Sequence, residues 1–296
     1  MKLRTLPFAL VDVFAREPLN GNSLSIFLLD SAISTGAMQR ITQELRQFET
    51  IFLERIGTGN RFTTRIFTME EELAFAGHPI IGASAFLHEK LFPQLGEVQL
   101  EFATSERVIS TISRVTDSVY IAEMDQGAAS INVPIARERY EALLDALNLS
   151  VADLVPGLPL QVISTGLPYL IVPLQSNLER ARIVHPQFET LLASVGAKFV
   201  YVLDVKNREG RTWDNDGRVE DIATGSAAGP AAVYLVARGV ENAGAGFVLH
   251  QGRFVGRPSE LQVEVRGKTE WSATVRGQVC FVGNGSFNLP RALLLA

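Results

Sequence analysis

Two segments of this chain have no face to offer to water. Ile80 to Lys90 is apolar almost all round through Ile80, Ile81, Ala83, Ala85, Phe86 and Leu87, and Ala227 to Arg238 repeats the pattern with Ala231, Ala232, Val233, Leu235 and Val236. A helix without a polar face is buried on every side, so the fold must wrap other elements around each of these. Gly82, Ala83, Ala85, Ala227, Ala228 and Gly229 are small enough to let sheets approach closely. Pro79 stands where a first helical residue loses nothing by lacking an N–H. Each helix opens from a polar loop that contains glycine, Glu72-Leu73-Ala74-Phe75-Ala76-Gly77-His78-Pro79 in one case and Glu220-Asp221-Ile222-Ala223-Thr224-Gly225-Ser226 in the other. A helix start presents unpaired N–H groups and the positive end of the peptide dipoles, so both openings suit a carboxylate or other anion.

The rest of the chain supplies the wrapping. Val98 to Phe102, Val108 to Val115 and Val119 to Met124 read as strands, while Met38, Ile41 and Leu45, like Tyr140, Leu143, Leu144 and Leu147, recur at helical spacing and predict amphipathic helices over a sheet. The fold class expected is α+β, with two similar domains, each a mixed, mostly antiparallel sheet around a central helix. The turn residues Thr116-Asp117-Ser118 place the boundary between them. The last strand, around Gln278 to Phe287, lies far from its own central helix and is assigned to the first half, giving domains of 1–117 plus 279–296 and of 118–278. Pro156-Gly157-Leu158-Pro159 and Asp214-Asn215-Asp216-Gly217 are loop signals within the second.

Composition excludes several functions. A net charge of -5 over 296 residues provides no basic field for a phosphate backbone, so nucleic acid is not an expected partner. Cys280 is the only cysteine, which rules out an internal disulfide framework and any multi-cysteine zinc site. No second His or Cys stands at ligand spacing from His78, so no metal is expected, and His88, His185 and His250 are read as structural or surface residues. The start of the chain imitates a signal peptide, but Asp12 and Arg16 interrupt it, and Thr5 to Val11 is read as a first strand. No apolar run approaches a membrane span, and a cytoplasmic location is expected.

Several short motifs, taken in order, resemble one family. They are Asp12-Val13-Phe14 with Gly21-Asn22, Phe75-Ala76-Gly77-His78-Pro79, Ser164-Thr165-Gly166-Leu167-Pro168, Glu220-Asp221 with Ala223-Thr224-Gly225-Ser226-Ala227, and Gln251-Gly252 with Gly256-Arg257-Pro258-Ser259. Together they are similar to the PhzF (phenazine biosynthesis) family and span nearly the whole chain. The resemblance implies a diaminopimelate epimerase-like fold with an active site between two domains. It also implies a homodimer and isomerisation of a trans-2,3-dihydro-3-hydroxyanthranilate-like carboxylate without metal or organic cofactor. This chain departs from the family pattern at Ser23, Met69, Ala74 and Ile222, where proline is usual, at Phe48, and in an acidic stretch around Asp214 and Asp216.

Glu49 lies at a helix-to-strand junction beside Phe48 and Ile51, where a partly desolvated carboxylate would titrate nearer the working pH. The resemblance makes Glu49 the acid/base residue. His78, at the mouth of the first central helix, reads as a hydrogen-bond donor to a substrate carboxylate or as a helix cap. Asp221 beside Glu220 is either part of a solvated loop or one of an acidic pair with a raised pKa. By resemblance Asp221 orients a substrate amine or hydroxyl, Ser226 caps and binds, Gly77 and Gly225 offer backbone N–H groups, and Asn22 and Thr165 join the substrate-binding set. Two-base epimerases and racemases of this architecture use paired thiols, whereas the openings here carry Ala76 and Ile222. A one-base isomerase therefore ranks above an amino-acid epimerase. A protein that binds small carboxylates without turning them over is the main rival. A serine hydrolase lacks its Gly-x-Ser-x-Gly elbow, and no nucleotide-binding glycine motif is present.

Overall fold

The computed structural model describes residues 3–295 and divides into two compact units, one formed by the chain up to Met124 together with the chain from Arg276 onward, the other by Asp125–Val275. Met1, Lys2 and Ala296, at the ends of the expected first domain, lie outside the described residues.

The first unit contains strands β1 (Leu3–Val13), β2 (Asn22–Leu29), β3 (Glu49–Arg55), β4 (Arg61–Phe67), β5 (Glu72–Leu73), β6 (Glu97–Ala103) and β7 (Val108–Thr116), with helices α1 (Thr35–Leu45) and α2 (Gly77–Leu91). Strand β8 (Val119–Ala128) carries the chain out of this unit. In the second unit come β9 (Ser130–Pro134), α3 (Tyr140–Asp145), β10 (Gln161–Ser164), β11 (Pro168–Leu174), α4 (Phe188–Ala193), β12 (Phe199–Asp204), β13 (Glu209–Arg211), α5 (Gly225–Ala237), β14 (Phe247–Gln251) and β15 (Ser259–Arg266). Strand β16 (Ser272–Pro290) returns the chain to the first unit, where α6 (Arg291–Leu295) ends it. From Val279 to Pro290, β16 pairs antiparallel with β1.

The two units repeat one topology. In the first, β1-β2, β3-β4 and β6-β7 are antiparallel neighbours, while β2-β3 and β4-β6 are parallel. In the second, β10-β11, β12-β13 and β14-β15 are antiparallel, while β11-β12 and β13-β14 are parallel. A parallel pair needs a crossover. The crossover between β4 and β6 contains α2, and the one between β13 and β14 contains α5, so the two apolar helices occupy equivalent places. Every residue of α2 from Gly77 to His88 is buried, and the helix packs on β1, β2, β3, β6 and β7. Helix α5 packs on β10, β11, β12 and β15.

The outer faces of the sheets carry the amphipathic helices. Helix α1 starts at Ser34, whose hydroxyl accepts from Ala37 N at 3.1 Å, and buries Ala37, Met38 and Ile41 against Phe27, Phe52 and Phe67. It ends at Arg46, left-handed at φ 52°. Helix α3 is shorter than the apolar spacing predicts: Leu147 is buried with Tyr140, Leu143 and Leu144, but the helix ends at Asp145 with Ala146 as its C-cap, and the chain turns through left-handed Asn148. Residues Asp117 and Ser118, both with positive φ, form the two-residue turn of the β7-β8 hairpin, the backbone shape that matches strand twist. The boundary between the units falls farther along, after Met124.

Candidate active site

In the first unit the left-handed end of α1 redirects the chain so that Glu49 becomes the first residue of β3, in parallel register with Leu24 of β2. Glu49 is buried with Thr50 and Ile51, and Phe48, just before the strand, is 38% exposed. His78, the second residue of α2, places Nδ1 3.4 Å from Glu49 Oε2 and 3.5 Å from Asn22 Nδ2. Asn22 is fully buried and opens β2 directly after Gly21. At φ 65°, a Cβ on Gly21 would come within 2.4 Å of the Val13 carbonyl, so this turn needs glycine. Asp12, buried on β1, accepts from Leu19 N at 2.6 Å and ties down the intervening loop.

Burial pushes the pKa of His78 down to about 3, against a smaller opposing effect of its hydrogen bond with the Ser23 backbone. Burial therefore favours the neutral imidazole at physiological pH. Its Nε2 is buried and has no hydrogen-bond partner among the described residues. His78 is not a helix cap: Ala76 holds the N-cap position of α2, and no side chain caps it.

In the second unit the N-cap of α5 is Thr224, not Ser226, and Thr224 spends its hydroxyl on Asp221 Oδ2 rather than on the helix. Gln251, also buried, clamps this loop by donating to the Asp221 carbonyl at 2.9 Å and to Thr224 Oγ1 at 3.0 Å, and by accepting from Thr224 N at 3.2 Å. Ser226 lies 2.7 Å from the Tyr169 hydroxyl. Thr165 donates to Gln126 Oε1 at 2.9 Å, and Gln126 Nε2 in turn donates to the Gly225 carbonyl at 2.7 Å. Thr165 thus supports the first turn of α5 through Gln126. Pro230 has no N–H to give to the Ser226 carbonyl.

Glu220 does not pair with Asp221. It makes a two-pronged ion pair with Arg211, at 2.9 Å to Nε and 2.5 Å to Nη2, and Arg211 also donates to the carbonyls of Leu178, Glu179 and Ala181. Glu220 bridges to Trp213 in extended backbone, where consecutive side chains point in opposite directions. The acidic loop is a turn closed on itself, with Asp214 Oδ1 accepting from Arg218 N and Val219 N at 2.7 and 3.2 Å.

Sequence reasoning missed Tyr169, Thr224, Gln126 and Gln251 as supports. Tyr169 directly follows the Ser164 to Pro168 motif, and a Thr placed three residues after an Asp in a glycine-bearing loop is a known local pairing; Gln126 carries no comparable signal. His88 is buried, with its ring nitrogens 2.9 Å from Ser113 Oγ and 2.8 Å from the Leu95 carbonyl, a structural arrangement. Cys280 donates to the Ala15 carbonyl. Among the described residues no three metal-ligating side chains gather, and no helix is long and apolar enough to cross a membrane.

A repeated α+β unit with a buried central helix defines a protein of the diaminopimelate epimerase-like fold, and at one helix start a carboxylate and an imidazole lie in contact. The chain belongs to the phenazine biosynthesis-like (PhzC-PhzF) family, whose model matches residues 11–285, and it is an isomerase of that family. It is 30% identical over 277 residues to trans-2,3-dihydro-3-hydroxyanthranilate isomerase of Pseudomonas fluorescens, covering 89% of this chain and 91% of that one. A solved structure of a predicted epimerase from Pseudomonas aeruginosa is 45% identical with a TM-score of 0.88, covering 95% of this chain and 99% of the other. The fold extends to a hydroxyproline epimerase from Agrobacterium vitis, at 13% identity and a TM-score of 0.62, covering 100% of this chain and 95% of that one.

Proposed function

We propose that this chain is a cofactor-independent isomerase that moves one proton within a small cyclic carboxylate bearing an amino or hydroxyl group, of the trans-2,3-dihydro-3-hydroxyanthranilate type. The observation that carries the reading is the buried approach of Glu49 to His78, 3.4 Å apart at the start of α2. The Glu49 carboxylate takes a proton from one ring carbon, the electron pair left behind shifts into the adjoining double bond, and protonated Glu49 returns the proton to the carbon at the far end of that system. Substrate and product are isomers, and nothing is oxidised or reduced. A neutral His78 provides one N–H and one lone pair beside the reacting carboxylate without adding charge.

Binding falls to the helix starts. Gly77 and Gly225 lie in first turns that no side chain caps, and such N–H groups suit a substrate carboxylate. Ser226 supplies a hydroxyl, Asn22 an amide, and Asp221 accepts from the amine or hydroxyl of the substrate. With Ala76 and Ile222 at the openings, no thiol is available there for a two-base epimerisation, which favours a single carboxylate performing both transfers.

The test is proton exchange. In heavy water, trans-2,3-dihydro-3-hydroxyanthranilate incubated with the protein should gain deuterium at a ring carbon, and Glu49→Gln should lower that rate by about 10²–10⁴-fold while leaving the melting temperature within a few degrees. Undiminished exchange in Glu49→Gln sinks the acid/base assignment. Binding with neither isomerisation nor exchange in the unaltered protein would make it a carboxylate-binding protein.

A further inference from the structure

The repeated topology makes the two central helices comparable residue by residue. Gly77 and Gly225 are their first residues, so His78 and Ser226 are equivalent. Glu49 begins β3, and the equivalent strand β12 begins with Phe199. Where the first unit has an acid, the second has a ring, and the partner of its helix-start residue comes from the neighbouring strand. Tyr169 of β11 stands opposite Phe199 in parallel register, its ring 5.5 Å from that of Phe199, and its hydroxyl is 2.7 Å from Ser226 Oγ.

We propose that Tyr169 is a positioning residue that fixes the Ser226 hydroxyl as a hydrogen-bond donor toward the ligand, so that the second unit selects a hydrogen-bond acceptor, such as a carboxylate oxygen, at that place. The inference rests on the proposed binding role of Ser226. Either hydroxyl of this pair could be the donor; a phenol is more acidic than an aliphatic alcohol and its oxygen is the poorer acceptor, so the proposal assigns donation to Tyr169 and acceptance to Ser226 Oγ. The one hydrogen on Ser226 is then free to point away from Tyr169. A second, independent observation lies on the same strand face. Tyr201 is fully buried two residues beyond Phe199, and its hydroxyl has no hydrogen-bond partner among the described residues. Of two neighbouring phenols, one contacts Ser226 and the hydroxyl of the other meets no hydrogen-bond partner among the described residues, which gives the experiment an internal control.

Steady-state kinetics with trans-2,3-dihydro-3-hydroxyanthranilate, and calorimetric titration with 3-hydroxyanthranilate and with its amide, separate the outcomes. Tyr169→Phe keeps the ring against Phe199. It should raise KM about tenfold, the size of one lost hydrogen bond to a charged group, with kcat changed less than about twofold, and it should narrow the preference for the acid over the amide. Ser226→Ala should do the same, and adding Tyr169→Phe to it should cost little more, since the two act as one unit. Tyr201→Phe should leave KM and the acid preference unchanged. Additive losses in the double variant, or a Tyr169→Phe protein that binds and discriminates like the unaltered one while Ser226→Ala is impaired, would overturn the role of Tyr169 alone. If Ser226→Ala itself binds normally, the binding role proposed for Ser226 fails and this inference goes with it.

Discussion

His78 Nδ1 lies 3.4 Å from Glu49 Oε2, with both side chains more than nine-tenths buried, and the imidazole is neutral. The contact has the outline of an ion pair but not its charges. Burial, by holding the His78 pKa at about 3, makes the arrangement a hydrogen-bonding device rather than a fixed cation facing a fixed anion.

That neutrality has a thermodynamic signature. Between the ordinary histidine pKa and about 3 the unfolded chain holds a proton on residue 78 that the folded chain does not, so folding stability falls as pH falls through that window. His78→Asn removes the effect. Urea unfolding at pH 7 and pH 4 should show the unaltered protein losing about 3 kcal/mol relative to His78→Asn. Parallel losses in the two proteins would mean that His78 takes up its proton equally in both states.

Glu220 is predicted to be a stability residue. Its pairing with Arg211 is buried on both sides, at 9% side-chain exposure each, and removing one partner of such a pair leaves a charge with reduced compensation, at a cost of about 3–5 kcal/mol. Glu220→Gln should show that loss in chemical denaturation. If Glu220 belonged to an acidic pair with Asp221, the same change would relieve repulsion and stabilise the protein, so the sign of the shift decides between the two.

Tyr201 and Gly210 test close packing under α5. A Cβ at residue 210 would stand 2.0 to 2.3 Å from the Tyr201 ring and hydroxyl. Gly210→Ala should therefore destabilise by about 1–3 kcal/mol. Tyr201→Phe deletes a buried hydroxyl that has no partner, and should be neutral or stabilising in thermal melts. A Tyr201→Phe protein that melts lower would reveal a partner for that hydroxyl in the folded state.

Much of the fold can be read from local pattern. The all-round apolar runs of α2 and α5 announce buried helices because burial on every side needs no knowledge of what does the burying. The strands from Val98 to Met124 show their own alternation. Long-range register is a different matter. Nothing local links residue 49 to residue 78; they meet because β2 and β3 are parallel and α2 runs beneath them. The same limit hides the link of Tyr169 to Ser226 and that of Gln126 to Gly225. Contiguity does not settle contact: Glu220 stands beside Asp221 in the chain, yet its carboxylate is held by Arg211, nine residues away. The residue type of Ser226 suits a cap, but the N-cap position of α5 belongs to Thr224.

The pairing of β1 with β16 imposes an order on synthesis. The second unit, Asp125–Val275, is one uninterrupted stretch that emerges from the ribosome whole, while the first waits for residues beyond Arg276 to lay its last strand against β1. Contacts between sequence-distant segments form slowly because so much chain must be closed between them. During translation, Glu49 and His78 therefore belong to an unfinished sheet with one edge of β1 open, and messages cut short just after Val275 should yield a folded second unit joined to a chaperone-dependent first.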